Sequence, residues 1–312
     1  MTIIVPKKKP EFVKTAHYDY IEKVILNKRF KPVLLVGETG SGKSMTVEQA
    51  CAHNNRPMLK FSVTKETTKD DLMGGFRLKA GETIFQYGPV TEAMQQGAVL
   101  VLDEFDCAHP NNIMCLQSVM EGNGYHIADS NETILPAPGF QIFLTANTKG
   151  QGDETGKYIG TQYLNEAFLE RIAAVLEFDY MSRDQELESF KKFVEDRGID
   201  LSGYTNFDPL ERIADYASQV REAQKNGGHD TEHTLSSRRL KFLLEEMESS
   251  GASVVRAMRI TFSRFADGFR DGLIDFYISS YEDDSKTEDE QISEANNFEF
   301  YSNLHKKLNA NG

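Results

Sequence analysis

The sequence predicts a three-layer α/β fold built on a parallel sheet, followed by a smaller all-α domain. Three observations carry this. Short β-rich apolar runs recur through residues 1–180, with helical patterns between them. A glycine-rich stretch stands between the first of these runs and a helical segment. Past Ser182 the strand-like runs stop and only helical spacing follows.

The elements read in order as follows. Val33 to Val36, bounded by Pro32 and Gly37, is a buried strand. Ser44 to Cys51 has helical spacing. Met58 to Val63 is a second strand. Ala98 to Leu102 is a third, unbroken and apolar as a parallel strand covered on both faces should be. Phe140 to Leu144 and Ala173 to Phe178 complete five. Helical segments are expected near 183–197, 207–225, 236–249, 252–266 and 268–280, which makes 181–281 a helical domain. Residues 282–312 read as an acidic, solvated tail with a last helix near 298–308.

Composition excludes several classes. No apolar run approaches the roughly 18 residues that span a bilayer. The first ten residues carry Lys7-Lys8-Lys9 and no apolar core of a leader. The 3 cysteines, Cys51, Cys107 and Cys115, match neither a disulfide framework nor zinc spacing, so a reducing cytoplasm is expected. A net charge of −13 disfavours a general nucleic-acid binder, which needs a basic surface.

Gly37-Glu38-Thr39-Gly40-Ser41-Gly42-Lys43-Ser44 fits G-x-x-x-x-G-K-[ST] between a strand and a helix. Glycines let successive N–H groups curl toward phosphate oxygens, and the helix adds its positive end. Lys43 is expected on the β- and γ-phosphates and the Ser44 hydroxyl on Mg²⁺. The run Val99 to Leu102 ends in Asp103-Glu104. At the carboxyl edge of an open sheet these carboxylates face the phosphate loop. Asp103 is expected to hold the Mg²⁺ and Glu104 to polarise the attacking water. Asp106 either positions a neighbouring basic group or caps a helix. Asn147 ends the strand Phe143-Leu144-Thr145-Ala146, where an amide can bond both a γ-phosphate and the lytic water.

The order of these motifs, with Thr145 to Gln162 and Asn165 to Arg171 (NEAFLER), resembles the AAA+ ATPases, and more narrowly the MoxR group with its cobaltochelatase-type members. The resemblance covers roughly residues 32–180. It departs from the cobaltochelatase type at Glu38-Thr39 and at Ile172.

The resemblance implies an ATP-hydrolysing ring, often a hexamer, with Mg-ATP held between subunits. It puts Arg171 where such proteins carry an arginine finger, the alternative being a surface pair with Glu170 or Glu166. It makes Ser236-Ser237-Arg238-Arg239-Leu240 a second phosphate sensor, with Arg238 ahead of Arg239. Hairpins at Phe76–Pro89 and Tyr125–Phe140 are expected to face a pore. The alternation in Tyr125-His126-Ile127 and Thr133-Ile134-Leu135 supports the second independently. The implied partner is a protein, in this group often one with a von Willebrand A-type domain. Work on a protein outside metal chelation, as in phage-encoded members, is the alternative. So is an ATP-dependent scaffold. His229 and His233 stand four apart, a spacing a helix could turn into a metal site, but Asn226-Gly227-Gly228 points to a loop.

Overall fold

The computed structural model describes residues 2–27, 29–152, 158, 160–227, 235–251 and 253–281. The acidic tail and the His229/His233 pair lie outside these, as do residues 153–157 and 159 of the Thr145–Gln162 stretch.

Among the described residues nine strands are formed: β1 (Val33–Gly37), β2 (Met58–Ser62), β3 (Gly74–Lys79), β4 (Glu82–Tyr87), β5 (Val99–Asp103), β6 (Tyr125–Ile127), β7 (Glu132–Ile134), β8 (Gln141–Ala146) and β9 (Ala174–Phe178). The central sheet has the order β2-β5-β8-β1-β9. All four pairings in it are parallel. This is the α/β sheet that the apolar runs predict, and its five strands fall on the five expected segments.

Side-chain parity sorts the core into two layers. Leu34, Val36, Leu100, Leu102, Ile142 and Leu144 face one side, with Val90, Ala93 and Met94 of the helix Pro89–Gln96. Val33, Leu35, Val99, Val101 and Phe143 face the other. There they meet Ile21 and Ile25 of the helix Tyr18–Leu26, and Val47, Ala50 and Cys51 of the helix Lys43–His53. Both faces of the inner strands β1, β5 and β8 are covered, which is why these read as apolar runs, whereas the edge strands β2 and β9 carry Lys60 and Glu177.

Two antiparallel pairs stand outside this sheet. β3 pairs β4 between the short helix Lys69–Met73 and the helix Pro89–Gln96. Phe76, Phe85 and Tyr87 form an aromatic ladder along that pair. β6 pairs β7 over three residues each.

The helices past Ser182 are Arg183–Arg197, Pro209–Gly227, Ser237–Ser249, Val254–Thr261 and Asp267–Tyr281. The fourth is shorter than the expected 252–266. Ser253 caps its start by accepting from the Arg256 N–H. After Phe262 the bonds tighten to three-residue turns, Ser263 N–H to Ile260 and Phe265 N–H to Phe262, which stop the helix.

The chain divides into two compact units, Met1–Gly198 with Ile213–Lys241, and Ile199–Arg212 with Phe242–Gly312. The expected break near residue 181 falls inside the first. A buried polar knot accounts for this. Glu186 is 1% exposed and pairs with Arg221 through two bonds of 2.7 and 3.0 Å. Ser237 donates to the same carboxylate at 2.5 Å, and Arg221 also donates to the Leu235 carbonyl. In the second unit, Leu243, Leu244, Met258 and Phe262 are fully buried, and the Tyr204 hydroxyl donates to the Met247 carbonyl at 3.0 Å.

Replacing Arg221 by Met leaves the Glu186 carboxylate buried and unpaired. That change is expected to cost about 3–5 kcal/mol in chemical denaturation of the nucleotide-free protein. Adding Glu186→Gln should restore much of the loss. A single variant as stable as the parent would show that the pair carries no such constraint.

Candidate active site

The site lies wholly within the first unit, at the carboxyl ends of β1, β5 and β8. A cleft of about 400 Å³ opens there, lined among others by Lys43, Ser44, Asp103, Glu104, Asn147 and Arg238.

The loop after β1 can only be made with glycine at its corners. Gly37, Gly40 and Gly42 have φ of 154°, 81° and 92°. A Cβ on Gly37 would stand 2.2 Å from the Phe178 carbonyl oxygen, and one on Gly40 2.8 Å from the Ser236 Cβ. The loop feeds the helix Lys43–His53, whose first N–H groups face the cleft end of the sheet. The Ser41 hydroxyl is buried in the loop with no hydrogen-bond partner. Gly37 and Glu38 do not line the cleft. The Glu38 carboxylate instead accepts from the Tyr158 hydroxyl at 2.5 Å. Burial and that bond push the Tyr158 phenol up.

Lys43 folds back over the loop. Its ammonium donates to the carbonyls of Gly37 (2.5 Å) and Glu38 (3.0 Å) and to the Asn147 amide oxygen (3.2 Å). Burial pushes its pKa down to about 8, against the pull of Asp106, Asp103, Glu38 and Glu104.

Asp103 gathers three donors in the cleft. Ser44 donates to its Oδ1 at 2.5 Å, and Thr145 donates to the same oxygen. Lys60 pairs with Oδ2 at 2.7 Å. Burial pushes the carboxyl up, but the bonds from Lys60, Ser44 and Thr145 together outweigh it and hold it below its usual range. The four groups meet because parity puts them on one face. Lys60 stands opposite Val101, Ser62 opposite Asp103, and Thr145 opposite Leu35. This is the face that the helix carrying Ser44 covers.

Glu104 turns out of the strand with φ 56°, a left-handed conformation that a non-glycine residue adopts at a cost. Its N–H donates to the Thr145 hydroxyl at 3.2 Å, and its carboxylate is exposed to the cleft.

Asp106 caps no helix, although its charge acts on the neighbouring Lys43. It is fully buried and accepts from the Asn147 and Thr148 N–H groups, both at 2.9 Å, and from the Thr148 hydroxyl at 3.0 Å. It thus ties the turn after β5 to the end of β8 and fixes where Asn147 points.

Two expected residues stand apart. Arg171 does not line the cleft. Its Nε donates to Glu121 at 2.7 Å and its Nη1 to the Ala167 carbonyl. Its acidic partner is therefore Glu121, not Glu166 or Glu170. Of the adjacent arginines, Arg238 lines the cleft and Arg239 does not. Thr145, Lys60 and the role of Asp106 escape a reading of motifs. A lone Lys and a lone Thr inside apolar strands were the available signals.

Among the described residues no cluster of three or more His, Cys, Asp or Glu could cage a metal. Ser44 and Asp103 together do suit Mg²⁺, which takes few protein ligands and completes its shell with water and phosphate oxygens. The glycine cradle, the unpartnered Ser41 hydroxyl and the buried Lys43 suit a polyphosphate. No helix among the described residues is long and apolar enough to cross a membrane.

The family described as AAA domain, dynein-related subfamily, matches residues 32–171. The aerobic cobaltochelatase subunit CobS of Sinorhizobium sp. is 31% identical over 251 residues, 78% of this chain and 72% of that protein. Protein NorQ of Paracoccus denitrificans is 34% identical over 117 residues, 37% of this chain and 43% of NorQ. Midasin of Giardia intestinalis is 29% identical over 157 residues, 49% of this chain but 3% of that much longer protein. With its parallel sheet, glycine cradle and strand-end carboxylates, the chain belongs to the AAA+ ATPases, in their MoxR/CobS-like group.

Proposed function

We propose that the chain is an ATP-hydrolysing motor that assembles into a ring, a hexamer as its group implies, and remodels or activates a protein partner. The observation that carries this reading is the convergence of Lys43, the Ser44–Asp103 pair, Glu104 and Asn147 in one cleft.

The loop N–H groups, Lys43 and Arg238 bind and orient the triphosphate. Lys43 leaves the loop carbonyls for phosphate oxygens, which are better acceptors because they are charged. Ser44 and Asp103 would hold Mg²⁺, which supplies charge neutralisation at the phosphates. Glu104, fixed through its N–H to Thr145 and free at its carboxylate, orients and polarises the attacking water. Asn147, aimed by Asp106, bonds the γ-phosphate and that water. Phosphoryl transfer needs this positioning and charge stabilisation more than covalent help.

Arg171 lies outside its own cleft, so the reading gives it to the neighbouring subunit's γ-phosphate. That requires the ring. The strand pairs β3–β4 and β6–β7 serve as the contacts with the partner, by analogy with the group. The likeness to CobS supports a narrower form, the ATPase subunit of a metal chelatase. That form requires a separate catalytic subunit that co-assembles with this chain. The wider form, a remodeller outside chelation, requires only a protein substrate, such as one bearing a von Willebrand A-type domain. The cytoplasm is the compartment the reading assigns.

ATPase rate measured against protein concentration, with oligomer mass on the same samples, tests the motor. The rate per subunit should climb as oligomers appear. Arg171→Ala should lower it by about 10³-fold while nucleotide still binds. Monomers that turn over at a concentration-independent rate, indifferent to Arg171, would sink the ring.

Glu104→Gln should abolish turnover, by about 10²–10⁴-fold, and keep ATP binding. A chain whose partner-directed function survives this change is a scaffold rather than a motor.

Lys43 gives a pH signature. Its pKa near 8 in the free site must rise when phosphate arrives, so binding takes up a proton wherever free Lys43 is neutral. Nucleotide affinity should therefore fall as pH rises through about 8. Calorimetry at pH 8.5–9 in buffers of different ionisation enthalpy should show proton uptake. Proton release there would contradict the assignment.

A further inference from the structure

We propose that Lys60 is a built-in counter-cation of the nucleotide site, standing on Asp103 in place of the metal and thereby setting how strongly nucleotide binding depends on Mg²⁺. The inference rests on the ATP-binding reading above and deepens it.

Lys60 is the one basic residue of β2, a strand that otherwise reads Met-Leu-x-Phe-Ser. Its neighbours on the strand explain its direction. Leu59 is buried and Phe61 packs against the core on the opposite face. Lys60 shares its face with Val101 and Asp103. Its backbone stands two residues, about 7 Å, short of the level of Asp103. The aliphatic stem spans that distance along the sheet and brings the ammonium to the rim. There it meets Asp103 Oδ2 at 2.7 Å and lines the cleft beside Lys43 and Ser44.

The consequence is electrostatic. A triphosphate entering this cleft meets the carboxylates of Asp103, Glu104, Glu11 and Glu48, the last already paired with Lys9, as well as the cations Lys43, Arg238 and Lys241. Without metal, an unpaired Asp103 would repel it. The Lys60 ammonium neutralises Asp103 from the side and leaves Oδ1 to Ser44 and Thr145. A divalent cation at Ser44 and Asp103 would do the same work, so Lys60 and the metal are alternatives on one carboxylate. Removing Lys60 therefore acts with opposite weight in the two conditions. It penalises nucleotide alone, and it frees Asp103 for the metal. A residue that merely braced the strand would act equally in both.

The test is equilibrium binding of a fluorescent ATP analogue to the full chain, in EDTA and in excess Mg²⁺. Lys60→Met should weaken binding about tenfold in EDTA and less than about twofold in Mg²⁺. Lys60→Arg, which keeps the charge, should match the parent in both media. Lys60→Gln, which keeps a donor without the charge, should behave as Lys60→Met does. The side chain is 38% exposed, so these variants should fold, and their melting temperatures check it. Equal weakening in both media, or none in either, overturns the inference while leaving nucleotide binding intact. A parent chain that binds the analogue in neither medium overturns the nucleotide reading itself, and this inference with it.

Discussion

The Asp103 carboxylate accepts from Ser44 and Thr145 on one oxygen and pairs with Lys60 on the other. Through these bonds it joins the helix Lys43–His53, β8 and β2 at a single point. The geometry of the cleft follows from that junction. Thr145, held on Asp103, accepts the Glu104 N–H and so fixes a residue whose backbone is in an unfavourable region. A carboxylate with so many donors stays ionised despite its burial. The cleft thus keeps a charged rim without water having to supply it.

A second junction lies one turn further on. Asp106 holds the Asn147 and Thr148 N–H groups from beneath, so the amide of Asn147 points back across the cleft toward Lys43. The two aspartates together make β5 and β8 one rigid edge. The phosphate loop, by contrast, is shaped by what cannot be there. The Phe178 carbonyl and Ser236 crowd the positions where side chains would stand on Gly37 and Gly40. The edge is built from bonds and the loop from steric exclusion, and both are needed for Lys43 to lie between them.

The sheet was readable from the chain because its three inner strands, β1, β5 and β8, are buried on both faces and so are almost wholly apolar, while the edge strands β2 and β9 keep enough apolar positions to show despite Lys60 and Glu177. The phosphate loop and Asp103-Glu104 were readable because sequence neighbours make them. What was not readable arises between distant strands. Nothing local says that Lys60 and Asp103 are on one face, since that depends on the β2–β5 register. Asp106 looks like a cap because its partners, 41 and 42 residues away, are invisible locally. The boundary near residue 181 misleads for the same reason. A change from strand to helix marks a change of element, while Glu186, Arg221 and Ser237 keep the later helices in the first unit through a buried network.

Arg171 is held within its own chain by a contact weak enough to be exchanged for another. Its partner Glu121 is 46% exposed at the side chain, and Arg171 itself 28%. An exposed pair of this kind contributes about 0–1 kcal/mol. A phosphate oxygen in a partly enclosed cleft is the stronger acceptor, because its charge is less screened there. Glu121 therefore keeps the guanidinium oriented without trapping it. It also ends the helix Gln117–Met120, just ahead of β6. In the ring reading, any movement of the β6–β7 pair reaches Glu121 through only three intervening residues, and from there the arginine. In that reading the β6–β7 hairpin and Arg171 are linked through one weak ion pair.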